Sequence, residues 1–153
     1  MNKLKNEPQI IFQRLNHAKE LALPSYESSQ AAGMDLRAAL DQPETLLPGK
    51  RMLIPTGFKI ALPQGFEAQI RPRSGLAYRN GITMLNSPGT VDSDYRGEIK
   101  VLAVNLGDQP FIIRHGDRIA QMVISPVTRL ALTESDELDR TMRGDRGFGS
   151  TGV

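Results

Sequence analysis

The stretch Asn86-Ser-Pro-Gly-Thr-Val-Asp-Ser-Asp-Tyr-Arg-Gly-Glu98 lies between two short apolar runs, residues 82–85 and 99–104. Both runs have the composition of strands, so the stretch is predicted to carry the turn of a hairpin. A surface turn needs its proline and glycine, but it does not need two aspartates, a tyrosine and an arginine as well. Two interpretations follow. Either the charged side chains of the hairpin are simply exposed to solvent, or the hairpin is a rigid support for reactive side chains.

The rest of the chain also consists of short apolar or alternating runs with turn residues between them. The runs are residues 10–15, 35–39, 51–54, 57–62, 66–70, 111–113 and 118–127. Their turn signals recur about every 8–12 residues, a spacing typical of sandwiches and barrels. One short helix is predicted over residues 74–79, and no strand–helix–strand alternation is present. These patterns predict an all-β, jelly-roll-like fold with one short helix.

Composition excludes several classes of protein. The chain of 153 residues is 39% hydrophobic and 24% charged. It has no apolar run near the ~20 residues of a membrane span and no signal-peptide core after Met1. The absence of cysteine rules out disulfides, thiolate metal sites and thiol nucleophiles. We therefore expect a cytoplasmic protein with no membrane partner.

The net charge of +2 resides in the end of the chain. In residues 140–153, Arg140, Arg143 and Arg146 face only Asp145, whereas acidic and basic residues balance in residues 1–139. A domain that binds duplex nucleic acid usually has a broad basic face, so no nucleic-acid partner is expected. A small basic segment is better suited to a small anion.

The end of the chain is glycine-rich and contains one aromatic residue, Phe148. It cannot bury enough apolar surface to fold alone. We therefore predict a β-rich domain over residues 1–139 and a flexible tail over residues 140–153. The tail is either a frayed terminus or a strip that becomes ordered over a ligand.

Two further clusters have unusual polar content. Asp35 and Arg37 are two residues apart in a predicted strand, so they share a face, where a cross-strand ion pair is one interpretation. Arg73 and Ser74 follow a strand and begin the predicted helix. Backbone N–H groups there can hold an anion, or Ser74 can simply cap the helix. Ser74 has no evident base nearby that would make it a nucleophile.

The last cluster lies in the apolar run 118–127. Arg118 at its start is compatible with a surface ion pair. Gln121 is a polar residue inside an otherwise core-like strand, and it is therefore a stronger candidate for a binding role.

Together, the five clusters resemble the five motifs of the trimeric dUTPases (deoxyuridine triphosphate nucleotidohydrolases). The resemblance extends from about residue 24 to residue 152, in the order and spacing of the family. Two positions depart from it. Arg146 stands where the family commonly has glycine, and the first motif begins Gln30-Ala31, with no acidic residue there.

The resemblance implies an enzyme that hydrolyses dUTP to dUMP and pyrophosphate, which limits uracil in DNA and supplies dUMP for dTMP synthesis. Asp92 matches the base that activates the water attacking the α-phosphorus. Tyr95 is expected beneath the deoxyribose. Uracil is expected to be bound by Asn86 and by the backbone around Gly89 and Val91.

The resemblance also implies a phosphate site, a Mg²⁺ ion and a trimer. Asp35 would position the Mg²⁺-bound triphosphate through water, and each site of the homotrimer would draw motifs from three subunits. The residues expected to hold phosphates are Arg73, Ser74, Gly75 and Gln121. The tail residues expected to close over the substrate are Arg143, Phe148, Gly149, Ser150 and Thr151, with Phe148 stacking on the base.

Two alternatives remain open from the sequence. One is a dCTP deaminase of the same fold family, although the hairpin is more similar to the dUTPase version. The other is a trimer that binds nucleotide without turnover and signals to a partner. His17, His115 and residues 1–22 have no functional interpretation that is better than a structural one.

Overall fold

The computed structural model describes residues 7–149. Within this range the chain is built of short strands, one α-helix and a 3₁₀ helix over Asn16–Ala18. The elements are β1 (Ile11–Arg14), β2 (Gly33–Arg37), β3 (Glu44–Leu46), β4 (Arg51–Ala61), β5 (Phe66–Arg71), α1 (Ser74–Asn80), β6 (Ile82–Met84), β7 (Gly89–Val91), β8 (Glu98–Asn105), β9 (Phe111–Ile113) and β10 (Arg118–Pro126).

Two four-stranded sheets share one hydrophobic core. Sheet A has the strand order β1-β4-β8-β6 and sheet B has the order β2-β10-β5-β7, while β3 and β9 form a separate pair. Alternation along the strands turns Ile54 and Val101 of sheet A, and Leu36 and Met122 of sheet B, into the common core, where each is at most 1% exposed. The expected all-β, jelly-roll-like fold is confirmed.

Strand β4 corrects one prediction. The runs 51–54 and 57–62 were expected to be separate strands, but one strand covers both. The register against β8 shifts between Pro55 and Lys59, so the chain bulges there without leaving the sheet. Gly57 lies in the bulge with φ of 74°, a conformation that favours glycine.

The predicted hairpin forms, but its connecting segment does more than turn. β6 pairs antiparallel with β8 in sheet A. Between them the chain crosses to the other sheet, where β7 pairs with β5 and becomes the edge strand of sheet B. The polar stretch is therefore attached to both sheets.

After β10 the described chain has no further strand or helix. Residues 127–149 are almost entirely exposed, including the side chains of Leu132 and Met142. The division between a domain ending at residue 139 and a tail stays a prediction. In the part of the chain that the structure describes, no helix has the length and apolarity needed to cross a bilayer.

Candidate active site

The first group of polar residues lies on sheet B and at the start of α1, and we call it the cradle: Asp35, Arg73, Ser74, Arg118 and Gln121. The Asp35 carboxylate accepts a hydrogen bond from Arg73 Nε at 3.0 Å, and its second oxygen lies 3.3 Å from Arg118 Nη1. The Asp35 side chain is 18% exposed, against 27% for Arg73 and 47% for Arg118. One carboxylate thus holds two guanidinium groups at a partly solvated surface.

Strand register brings the cradle together. Met34 and Leu36 point into the core, so Asp35 between them points outward. Asp35 pairs with Gln121 on β10, and Gln121 pairs with Arg71 on β5. Residues far apart in sequence are therefore neighbours across three adjacent strands. The expectation of a surface ion pair at Arg118 is confirmed, whereas Arg37 bonds to the Gly116 carbonyl at 2.9 Å and takes no part in it.

Helix α1 begins beside these strands, and its start corrects a second expectation. Arg73, in an extended conformation, is the N-cap residue, and Ser74 is the first helical residue. No side chain caps the helix, so the interpretation of Ser74 as its cap is wrong. The Ser74 side chain instead lines a cavity of about 650 Å³ together with Gln121. Gly75 follows Ser74, and a β-carbon there would lie 3.0 Å from Arg79 Nη2.

Gln121 has a fixed orientation in that cavity. Its Nε2 donates to the Pro72 carbonyl at 3.0 Å, which ties β10 to the segment before α1. A β-carbon at Gly33 would lie 2.6 Å from Gln121 Oε1, so the glycine of β2 provides the space that this amide occupies. Strand β10 therefore carries Gln121, a polar residue between the buried Ala120 and Met122, towards the cradle.

The second group lies on the segment from β7 to β8, and we call it the hairpin site: Thr90, Val91, Asp92 and Tyr95. Val91 is buried, whereas Asp92 is exposed. A turn follows, closed by a hydrogen bond from Tyr95 N to the Asp92 carbonyl at 3.1 Å. The hairpin site lines a cavity of about 280 Å³, to which Ile99 and Lys100 of β8 also contribute.

Asn86 and Gly89 precede the hairpin site in the same segment. Gly89 is buried and pairs with Ile70 of β5. A β-carbon at Gly89 would lie 3.1 Å from Asn86 Nδ2, so the amide of Asn86 packs close over this backbone. Amide and backbone groups of this kind offer fixed donors and acceptors to a flat polar ring.

The structure does not bring the two groups together within one chain. Ser74 and Gln121 line one cavity, while Asp92 and Tyr95 line another. Each is an incomplete site by itself. The only carboxylate of the cradle, Asp35, is already paired with two arginines, and the hairpin site has an exposed carboxylate, Asp92, without a cation that it contacts within residues 7–149.

The family model described as dUTPase matches residues 19–152. The chain belongs to the dUTPase family. Among its relatives, the deoxyuridine 5'-triphosphate nucleotidohydrolase of Rhizobium johnstonii is 64% identical over 148 residues, which are 95% of each chain. The enzyme of the same name from Sinorhizobium medicae is 60% identical over 95% of this chain and 92% of its own. The predicted family and class, dUTP diphosphatase, are confirmed.

Solved dUTPase structures show the same fold. The dUTPase of Staphylococcus bacteriophage 80alpha, solved with dUPNHPP, superposes with a TM-score of 0.85 at 23% identity, over 95% of this chain and 99% of that one. A dUTPase from phage phi11 of S. aureus, in which a structural Mg(II) ion is coordinated, superposes with a TM-score of 0.77 at 19% identity, over 86% and 99%. At these identities the similarity concerns the fold alone.

The described part of the tail forms no hydrogen bond with either group. Arg143 Nε donates to the Arg146 carbonyl at 2.9 Å, and Arg146 Nε donates back to the Arg143 carbonyl at 3.0 Å. The Phe148 ring is fully exposed, and Gly149 follows with φ of 85°. Ser150 and Thr151 lie outside the described residues.

The donor set fits a Mg²⁺ ion that is bound mainly by substrate and water. Residues 7–149 contain no cluster of three or more carboxylate, histidine or cysteine side chains that could enclose a metal. Asp35 is a hard oxygen donor with both oxygens already hydrogen-bonded to arginines. Mg²⁺ usually keeps several waters and takes its remaining ligands from phosphates, so one carboxylate acting through water is sufficient.

Two residues beside the hairpin site were missed from the sequence. Gly97 lies against the Tyr95 ring, and Glu98 bonds to His17 across 81 positions of the chain. The glycine after Tyr-Arg was a local signal that could have been noticed. No local signal links His17 to Glu98, because the 3₁₀ helix after β1 and the start of β8 meet only in the folded chain.

Proposed function

We propose that Asp92 is the general base of dUTP hydrolysis in this dUTPase. In this reaction a water oxygen forms a bond to the α-phosphorus, the bond from that phosphorus to the bridging oxygen breaks, and the proton of the water passes to the Asp92 carboxylate. The products are dUMP and pyrophosphate. The exposure of Asp92 at the rim of a cavity, on a segment attached to both sheets, is the observation that carries this assignment.

The segment before Asp92 is proposed to recognise the base and the sugar. Asn86 and the backbone of Gly89 and Val91 would hydrogen-bond uracil, and the Tyr95 ring would lie beneath the deoxyribose. Mismatched donors and acceptors would reject cytosine, since polar mismatches of this kind reach factors of about 10⁴–10⁵. Pairing of β7 with β5 keeps this backbone in place before substrate arrives.

The cradle is proposed to bind the triphosphate. Arginine presents a planar fork that matches phosphate oxygens, and Arg73 and Ser74 stand at the surface beside Gln121. In the free chain Asp35 occupies the arginines; phosphate oxygens would compete with it for them. When bound, Mg²⁺ would neutralise part of the phosphate charge, and Asp35 would hold its water shell.

A homotrimer with shared sites is proposed because each half of the site is incomplete. A second observation supports the trimer, namely that sheet A has an apolar outer face. Leu53 and Leu85 are 55% and 54% exposed, and Leu102 lies between them, in register with Leu53 and bonded to Leu85. Contiguous exposed leucines on a strand face are typical of a surface that another chain covers.

The tail is proposed to close over the bound nucleotide. Arg143 would contact phosphates together with Ser150 and Thr151, and Phe148 would stack on the base, with Gly149 allowing the close approach. The full exposure of Phe148 in the free chain supports this role, because an isolated aromatic ring among glycines has no packing partner among residues 7–149. Closure would exclude water other than the attacking one.

A pyrophosphate-release assay tests the proposal. The purified protein is incubated with dUTP, dCTP, dTTP and UTP, each with and without Mg²⁺. We expect rapid release from dUTP alone, with Mg²⁺ increasing it. Ammonia release from dCTP would instead favour a deaminase, and tight binding of dUTP without turnover would favour a nucleotide sensor. The cytoplasmic location and the absence of nucleic-acid and membrane partners stay predictions.

A further inference from the structure

We infer that Gly97 and Glu98 position the Tyr95 ring and thereby determine how strongly the enzyme prefers dUTP to UTP. The inference rests on the proposed function, in which Tyr95 lies beneath the sugar. We call these two residues, with His17 and Gly57 behind them, the Tyr95 seat. Neither Gly97 nor Glu98 needs to touch the substrate for this role.

Gly97 provides the space in which the ring lies. A β-carbon at this position would be 2.2 Å from Tyr95 Oη and 2.4 Å from Cζ. These distances are far below those of real β-carbon contacts, so any side chain at residue 97 would displace the ring. The φ angle of Gly97 is outside the left-handed region, so glycine is needed there for space and not for its backbone conformation.

Glu98 holds the ring by its backbone. The phenol of Tyr95 donates to the Glu98 carbonyl at 3.2 Å, which joins the ring to the first residue of β8. The position of that carbonyl then determines where the ring rests. Tyr95 is 46% exposed, so the face away from the seat is available to a ligand.

The Glu98 side chain fastens this point of β8 to two other elements. Its Oε1 accepts a hydrogen bond from Gly57 N at 2.8 Å and lies 2.6 Å from His17 Nε2. Gly57 is in the bulge of β4, where the amide has left the regular ladder. The carboxylate therefore satisfies an amide that the bulge would otherwise leave without a partner, and its side chain is only 15% exposed.

The location of the seat connects it to sugar recognition. Glu98 lines the cavity of the hairpin site on one side and, with His17, a cavity of about 620 Å³ on the other. Glu98 thus borders the cavity that Asp92 and Tyr95 line, and its carbonyl holds the ring there. A ring that is held in place excludes a 2'-hydroxyl by steric contact, whereas a displaced or loose ring yields to it.

The test compares selectivity in Gly97→Ala and in a glycine control. The ratio of kcat/KM for dUTP to kcat/KM for UTP is measured by pyrophosphate release. We expect Gly97→Ala to lower this ratio by about tenfold or more, in the range of steric discrimination by small groups. Gly49→Ala is the control, since Gly49 has φ of 73° and nothing within 4 Å of its added β-carbon. It should lose stability without a change in the ratio.

A pair of Glu98 variants decides the question if Gly97→Ala does not fold. Glu98→Gln retains an acceptor for Gly57 N, and we expect its ratio to stay within about twofold of the wild type. Glu98→Ala removes that acceptor, and its ratio should fall by about tenfold. An unchanged ratio in Gly97→Ala, or equal ratios in the two Glu98 variants, would overturn the inference. No pyrophosphate release from dUTP by the wild type would overturn the proposed function instead.

Discussion

The cradle and the hairpin site are built in opposite ways. The hairpin site uses residues within one short segment, and its geometry depends on one turn and on the attachment of β7 to β5. The cradle takes Asp35, Arg73 and Arg118 from three separate parts of the chain and joins them by ion pairs. The first is a local motif; the second exists only after the strands have found their register.

The difference also concerns charge. In the cradle, the Asp35 carboxylate holds two arginines, and the three side chains are 18–47% exposed. Ion pairs that are partly exposed are weak, so a phosphate can compete for the arginines at small cost. In the hairpin site, Asp92 forms no ion pair with any described residue. A preorganised cation site and an exposed carboxylate that do not meet within one chain are consistent with the shared active site proposed above.

The largest expected effect comes from the hairpin site. Asp92→Asn should lower kcat for dUTP by about 10²–10⁴-fold with substrate binding largely retained, because an amide cannot accept the proton of the attacking water. Stopped-flow or steady-state pyrophosphate release measures it. Asp108→Asn, an exposed aspartate in the loop after β8, is the matched control. Near-normal turnover of Asp92→Asn would remove Asp92 from its proposed role.

Removal of the tail should have the next largest effect. A chain ending at Met142 lacks Arg143 and Phe148, so kcat should fall by about 10²-fold, the size of effect expected when reacting groups are no longer held in place. Removal of Val153 alone serves as the control. If both truncated chains turn over dUTP like the full chain, the tail does not close over the substrate.

Mixing two variants distinguishes a shared site from a site within one chain. Asp92→Asn has an intact cradle, and Arg73→Ala has an intact hairpin site. Random exchange of subunits after mild unfolding and refolding should restore activity in about one quarter of the sites of a cyclic trimer. Each variant refolded alone is the reference, and sedimentation gives the oligomer mass. Activity no higher than the mean of the two variants would indicate that each chain carries its own complete site.

The smallest expected effect is that of Asp35→Asn, in the cradle, on the stability of the protein. Asp35→Asn should change the free energy of unfolding by less than about 1 kcal/mol, since partly exposed ion pairs contribute little. The KM for dUTP in the presence of Mg²⁺ should nevertheless rise. Urea unfolding and steady-state kinetics measure the two quantities. A large loss of stability with an unchanged KM would make Asp35 a structural residue.

Most regular elements could be predicted from local pattern. β5, β9, β10 and α1 lie within a residue or so of their predicted ranges, because each has clear turn residues at its ends. Strand β4 was predicted as two strands, because Pro55 and Gly57 are typical turn residues. They form a bulge within one strand only because β8 pairs on both sides of them. β7 was taken for part of a turn, because three residues at a sheet edge leave almost no periodic signal.

The candidate site could be predicted to a similar degree. Asp92, Tyr95 and Gln121 stood out because each is a polar residue where the surrounding pattern does not require one. The bonds between them and their neighbours could not be predicted. That Asp35 holds both Arg73 and Arg118, and that Glu98 satisfies Gly57, follow from strand register, which no local pattern specifies.

The amino-acid sequence by itself determined the all-β class, because that class depends on periodicity and turn residues along the chain. It also contained the groups that could react and the five motifs whose resemblance to those of the dUTPases indicated the family. The tertiary structure alone decided that the polar segment bridges two sheets, that Gln121 and Asp92 line different cavities, and that the Tyr95 ring rests on Gly97. The physical reason is that contacts between distant residues come from packing two sheets on one core. Packing sets positions that are only a few ångströms apart in space but many residues apart in the chain.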